Sequence, residues 1–588
     1  MSVASPVLLL TAPDEAHVFD RALREALITE GYHCHHYCDS RVADAELAAY
    51  AVTIVSAGAA ARLPSQRAAD CLASGGKLVV FQPPGDWGPL LGMQRLQGNY
   101  AVARDAFIAV EPGHPWTTDF PWLDLQCPGH NHVWANQTAQ VLAWTAGQAG
   151  ERSAYPAVAV NGNAAVFTYD LADVLVRLQQ GRPELATNRT DPDANRDGKF
   201  CADDLFEGQR CFSLRHVPQA DVHRDLLVRV IRGLTADGPP LPRLWHFPHA
   251  APALLFLDGD GDAMTWEDLE LVISTVEEFG ARYTLYMMTA EIEAFDPSAI
   301  AALRARGHDF GPHPWTGSQP TPEAWAAEVG AVTGRFRRKF GFAPVALRTH
   351  CIIFPGWDES PRVLSGLGLR LDTNFCNGYR YQSGYLNGSA LPARFFDRQG
   401  LPLDCYEQST VQMEDGAGTP KVLLPVQTQE QALALSRRLM DDLAGKYHGV
   451  FHPYFHPINL AGRGAVPCLD WFRGVLAHAR DLGLTSVSAR EWLQFTESRA
   501  ATQISDYAWE AETETLTFSL TAPDDLTGLT VLLPPCCGRP PQAATAGGKT
   551  VAMASVSYED GGWTALTVDV SAGEPLSLTV SYSGRPKD

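Results

Sequence analysis

The feature that most constrains this chain is an alternation of short apolar strands with amphipathic helices, starting at residue 253 and running to about 489. "ALLFLD" (253–258) leads into a helix with Thr265 as N-cap and Asp268 in its first turn. That helix carries apolar Leu269, Val272, Ile273, Val276 and Phe279, and stops at Gly280. "YTLYMM" (283–288) precedes a helix opened by Asp296-Pro297 and closed by Gly307, and "HDFGPH" (308–313) precedes one opened by Thr321-Pro322. Further strands are expected at "VALRTH" (345–350), "LRLDTNF" (369–375), "VLLPVQ" (422–427), "GVFHPYFH" (449–456) and "TSVSA" (485–489). About seven or eight such units over roughly 250 residues predict a (β/α) barrel, whose chemistry sits where the C-terminal strand ends converge.

Those strand ends are unusual. Read in order they carry Asp258, Asp260 and Asp262, then His313, Arg348 and His350, Asp372, and finally His452 and His456. Carboxylates and imidazoles gathered at one end of a barrel can hold a divalent metal, and a carboxylate beside an arginine can serve as a general base. His308 stands five residues before His313, so on a regular strand it faces the other way and is read as structural. Asp262 is read as a surface or supporting residue. His452 and His456, four apart, share a strand face.

Before the barrel lies a second βα pattern, residues 1–238, followed by the Pro-rich "PPLPRLWHFPH" (239–249), which reads as a linker. Its expected strands are 7–12, 50–57, 77–82, 140–146 and 164–170, with helices at 17–29 and 65–73, predicting a doubly wound parallel sheet. "DANRDGKFCADD" spaces Asp193, Asn195, Asp197 and Asp204 like the oxygen ligands of a calcium loop, or forms a solvated loop. From about residue 500 the chain changes to short alternating strands, predicting a small β-sandwich over 500–588. The fold class is therefore α/β: an N-terminal doubly wound sheet, a central barrel over 250–498 and a C-terminal β-sandwich.

The net charge of −21 argues against nucleic acid or an anionic membrane as the main partner, and no apolar run is long enough to span a bilayer. The twelve cysteines contain no CxxC pair, so neither a zinc ribbon nor a disulfide framework is expected. The opening "MSVASPVLLLTAPDEAHVFD" lacks a signal peptide's basic region and long apolar core. The chain as written is expected in the cytoplasm; with an export signal ahead of it, it would be secreted.

On these motifs, residues 250–495 resemble polysaccharide deacetylases of the NodB-like carbohydrate esterase group, which remove acetyl groups from N-acetylated sugars with a divalent metal, usually zinc. The family's first motif, a base and a metal-binding Asp, is similar to Asp258-Gly259-Asp260. Its second resembles "GHDFGPHPWTG" through His313. The resemblance assigns Arg348 as the residue orienting the base, Asp372 as the residue holding that arginine, and His452 as the general acid. One departure stands out: Gly317 occupies the position of the second metal histidine, so His350 or His456 is expected as a replacement ligand. The metal set is then Asp260, His313, His350 and His456, with Zn2+ as the first choice of cofactor. The aromatic "NGYRYQSGYLNG" (377–388), Trp315 and Trp357 can stack on sugar rings.

In front, "YAVTIVSAGAAARLPSQRAADCLASGGKLVVFQPPG" resembles class I glutamine-amidotransferase-like domains, without their nucleophilic cysteine. This part is expected to be non-catalytic. The expected function is deacetylation of an N- or O-acetylated carbohydrate, with a homo-oligomer left open. The alternatives are a glycan-binding or assembly protein whose barrel has lost catalysis, or an amidohydrolase acting on a small non-sugar amide.

Overall fold

A computed structural model describes residues 2–3, 5–39, 45–97, 102–147, 151–187, 198–209, 211–377, 383–414, 428–558 and 562–583. The candidate calcium loop falls largely outside the described residues, as do the expected strand 422–427 and residues 378–382 of the aromatic loop.

The first part is built on a nine-stranded sheet. Its parallel half runs Cys34–Cys38, Val7–Thr11, Val52–Val55, Leu78–Phe81, Ala164–Phe167, the order of a doubly wound fold. Four of these five strands are apolar and wholly buried, as strands covered on both faces must be. The other half, Arg152–Asn161, Gln140–Ala146, Val102–Val110 and Asp124–His132, is antiparallel. Segment 140–146, expected among the parallel strands, pairs antiparallel with Arg152–Asn161. The short connection 147–151 explains this: it can turn a hairpin, whereas a parallel return needs a crossover of about a dozen residues.

In the central part, Leu254–Phe256 lies parallel between Val450–Phe451 and Thr485–Val487. Asp258–Asp260 lies parallel between Thr284–Met287 and Pro453–Phe455, with Asp309–Pro312 beyond. Ala346–Leu347, Leu371–Asp372 and Pro402–Glu407 continue parallel in another sheet, which Ala393–Phe396 ends antiparallel. The expected barrel is therefore not closed: among the described residues these strands fall into three sheets. Both inner strands break their ladders, one at Leu257 and one at His452, so each passes from one sheet to the next. Pro453 has no N–H to carry the ladder through its break. Helix Trp266–Glu278 begins with the expected Thr265–Asp268 capping box.

The last part has two antiparallel sheets. One contains Gln503–Glu510, Thr515–Thr521, Leu576–Ser581, Ala543–Ala546 and Lys549–Thr550; the other contains Leu526–Leu533, Trp563–Val570 and Met553–Val556. Leu516, Phe518 and Val580 of the first join Leu529, Val531 and Leu566 of the second in one apolar core. Both sheets borrow strands from far up the chain: Ser2–Val3 pairs with Tyr507–Ala508, and Arg243–Leu244 with Val531–Leu532. The expected linker is thus packed rather than free, and Trp245 is fully buried, stacked 4.1 Å from Tyr558. Arg499 donates to the carbonyls of Trp245, Leu244 and Thr29, joining early and late segments. Among the described residues no helix is long and apolar enough to cross a membrane. The cysteines are free thiols.

Candidate active site

The glycines of "DGDGD" are explained by crowding. A Cβ at Gly259 would lie 2.2 Å from the Phe455 carbonyl oxygen, and one at Gly261 would lie 3.0 Å from that of Tyr286. Only glycine lets the neighbouring strands close on this strand while Asp258 and Asp260 flank it.

Asp258 is fully buried. Arg348, at the end of Ala346–Leu347, donates from Nη1 to Asp258 Oδ1 at 2.8 Å. Its other donors go to the Thr373 carbonyl at 2.9 Å and the Thr410 hydroxyl at 2.8 Å. His452 Nε2 stands 2.9 Å from Asp258 Oδ2, close enough to pair as an ion but not aligned as a hydrogen bond, and its Nδ1 faces the Gln408 and Ser409 carbonyls at 3.2 Å. Burial alone would raise the Asp258 carboxyl, but Arg348 and then His452 outweigh it and hold it below its ordinary value.

Beside this unit lies a second cluster centred on Asp262. His313 Nε2 is 3.3 Å from Asp262 Oδ1 and 3.5 Å from Asp260 Oδ2. His350 Nε2 is 3.3 Å, and His456 Nε2 3.5 Å, from Asp262 Oδ2. The turn carrying His350 holds Cys351 and Ile352 at φ of 59° and 54°, strained values for side-chain-bearing residues. Behind His456 sits Glu414, fully buried, which accepts from His456 Nδ1 at 2.5 Å and from the Asn459 amide at 2.9 Å.

Despite its burial, Asp262 is pulled well below the carboxylate range by the imidazoles of His313, His350 and His456 around it. Burial would lower His350, yet its bond to Asp262 lifts it to about 10. Glu414, and after it Asp262, lift His456 well above its ordinary value in spite of burial. Asp260 is raised, because burial outweighs the attraction of His313 and Arg348.

Among the described residues, no group of three or more His, Cys, Asp or Glu side chains forms a ready-made metal cage. The donors meet in pairs instead, and their chemistry fits a cation. His313 Nδ1 donates to the Arg348 carbonyl at 2.8 Å, which turns Nε2 toward two carboxylates. Both His313 Nε2 and Asp262 Oδ1 are buried without a hydrogen-bond partner. Two ligands each about 2.0–2.1 Å from a tetrahedral zinc stand roughly 3.3–3.4 Å apart, which is close to the spacing seen here.

All eight residues singled out from the sequence lie in this region, but one expected contact is missing. Asp372 does not bond Arg348: its Oδ1 accepts from the Asn374 amide at 2.5 Å, and the guanidinium is held by the Thr373 carbonyl instead. Asp372 is paired across the sheet with Glu407, and burial lifts its carboxyl to about 6 and Glu407's well above its usual range. His452 is wholly buried, whereas the His456 side chain keeps 15% of its surface open. Gly317 sits at φ of 79° and supplies no donor. Sequence reasoning placed Asp262 only at the surface or in support, because it lies in the turn beyond Asp258–Asp260, where strand periodicity gives no signal. Glu414 and Thr410 gave no signal at all.

No family model matches the chain, and no curated protein does. Among solved structures it is similar to a putative polysaccharide deacetylase from Mycobacterium smegmatis, at 14% identity over 43% of this chain and 91% of that one, with a TM-score of 0.34. It is also similar to a peptidoglycan deacetylase from Bacillus subtilis (11% identity, 42% and 93%, TM-score 0.25). A third is a polysaccharide deacetylase from Bacillus cereus (15%, 40% and 90%, TM-score 0.25). Superposition at this level assigns no activity; what the site can do follows from its own side chains.

Proposed function

We propose that the protein is a metal-dependent hydrolase that removes acetyl groups from an N- or O-acetylated carbohydrate. The observation that carries the reading is a buried carboxylate, Asp258, kept ionised by Arg348, in the same site as a histidine, His313, whose Nε2 faces two further carboxylates. Asp260, Asp262 and His313 are the proposed holders of a divalent cation, with His350 and His456 flanking through Asp262; bound there, the ion would polarise an acyl carbonyl and acidify water.

The chain's own residues supply the remainder. Asp258 accepts a proton from the attacking water, and Arg348 keeps it ionised to do so. His456 takes the acid role that the sequence gave to His452, because it is the more open of the two and Glu414 keeps it charged. His452 then positions Asp258 from behind. Trp315, 47% exposed and edge-on to His350 at 4.6 Å, offers a sugar ring an apolar face at the mouth of the site.

The test is metal content and acetate release from chito-oligosaccharides, on wild type, Asp258→Asn and His313→Ala. The reading expects metal in wild type and Asp258→Asn, little in His313→Ala, and turnover in wild type alone. Metal in none of them, even after zinc is supplied, would move the assignment to a glycan-binding protein. Turnover of simple cyclic amides but not of the sugars would move it to a small-amide hydrolase.

A further inference from the structure

A cleft half open to solvent lies away from the residues of the candidate active site, along the seam between the first sheet and the central part. Strand Asp124–His132 contributes Gln126, the start of helix Gln219–Thr235 contributes Gln219, and the central part contributes Asn377, Tyr385 and Leu386. Leu178, Phe206, Leu214 and Val217 add apolar surface. The lining combines this apolar surface with several polar side chains, the mix by which small-molecule pockets orient a ligand.

Its polar groups are unevenly satisfied. The side-chain nitrogens of Gln126, Gln209 and Asn377 donate to the carbonyls of Gln209, Arg177 and Ser383. Gln219 differs. It is 3% exposed, and its Oε1 accepts from the Gln126 backbone at 2.8 Å, which leaves Nε2 buried without a partner. Arg215 repeats the pattern: Nη1 donates to the Phe212 carbonyl and the guanidinium lies 3.7 Å over the Phe212 ring, while Nε is buried and unpartnered. Buried donors are normally paired, so two on one cleft wall point to an acceptor from outside the chain. No carboxylate lines the cleft among the described residues, and Arg215 is its only charge, with Arg438 nearby through His216.

We propose that this cleft binds a small monocarboxylate with an apolar body, its head between Gln219 Nε2 and Arg215 and its body on the Leu178, Phe206 and Leu214 surface. The site is independent of the hydrolase reading, because none of its residues belongs to that centre.

The experiment is calorimetric titration of the full chain with octanoate and, separately, with 1-octanol, which keeps the apolar body and loses the charge. Wild type is expected to bind octanoate saturably and at least about tenfold more tightly than octanol, as a charge-assisted pair requires. Arg215→Ala at the part-exposed rim, and Gln219→Glu, which keeps the acceptor for Gln126 and replaces the free N–H with a carboxylate oxygen, should each weaken octanoate by about tenfold and leave octanol unchanged. Octanol binding as tightly as octanoate would overturn the proposal. So would unchanged octanoate affinity in both variants, or no saturable binding at millimolar octanoate.

Discussion

Arg348→Met is the most informative single change. The guanidinium is 1% exposed, and the substitution removes its bond to Asp258 together with those to Thr373 and Thr410. Methionine fills much of the same volume, so the main loss is the counter-charge of a fully buried carboxylate. Removing one partner of such a pair costs about 3–5 kcal/mol. The sign of the pH dependence follows from Asp258. In wild type its folded pKa lies below the unfolded value, so its contribution is present above the unfolded pKa and lost as pH falls through the folded one. In the variant burial is opposed by His452 alone, the folded pKa rises above the unfolded value, and stability is lost as pH rises through it. The deficit relative to wild type should therefore be larger at pH 8 than at pH 5, with each unit of pKa change worth about 1.4 kcal/mol. Urea unfolding followed by tryptophan fluorescence at the two pH values measures it. Adding Asp258→Asn to Arg348→Met should recover part of the loss rather than deepen it. A deficit under about 1 kcal/mol at pH 8, or strict additivity of the two changes, would refute the reasoning.

Zinc binding to the metal-free protein near pH 7 should release protons, because His350 and His456 are charged without metal and lose that charge as Asp262 turns to the ion; calorimetry in buffers of different ionisation enthalpy reads the count. Glu414→Gln should leave His456 without its charged partner and reduce turnover by about 10- to 100-fold with metal content little changed, as measured by acetate release beside elemental analysis. Trp315→Ala should raise KM for oligosaccharides more than it lowers kcat, which steady-state kinetics on chains of increasing length will separate. Asp20 is fully buried, and desolvation lifts its carboxyl to about 6. A raised carboxyl favours the folded state at low pH, so stability should fall by up to about 3 kcal/mol between pH 4 and 7, and Asp20→Asn should remove that slope from the urea midpoints.

The parts legible in the sequence were those with a strong period. The buried apolar runs, the Thr265–Asp268 cap and the positions of His313 and Arg348 just past their strands all stand where local pattern placed them, whereas Asp258 opens a new strand after a break at Leu257. The losses came where tertiary contacts decide. Whether 140–146 pairs parallel or antiparallel depends on the length of its connection, which the pattern of one strand does not reveal. The barrel opens at Leu257 and His452 because the ladders change partners there, which no periodicity reports. The proposed acid is His456 rather than His452 because of its greater exposure and its buried partner Glu414, both set by segments far apart in sequence. Glu414, distant in sequence from the first strand, had no motif around it.

The strand Ser2–Val3 is made some 500 residues before its partner Tyr507–Ala508. At about 5–20 residues per second, that edge stays bare for roughly 25–100 s on the ribosome. Arg243–Leu244 waits in the same way for Val531–Leu532. Those two antiparallel sheets therefore close like a clasp over a chain already built, and cutting them away would strip partners from two segments made long before them.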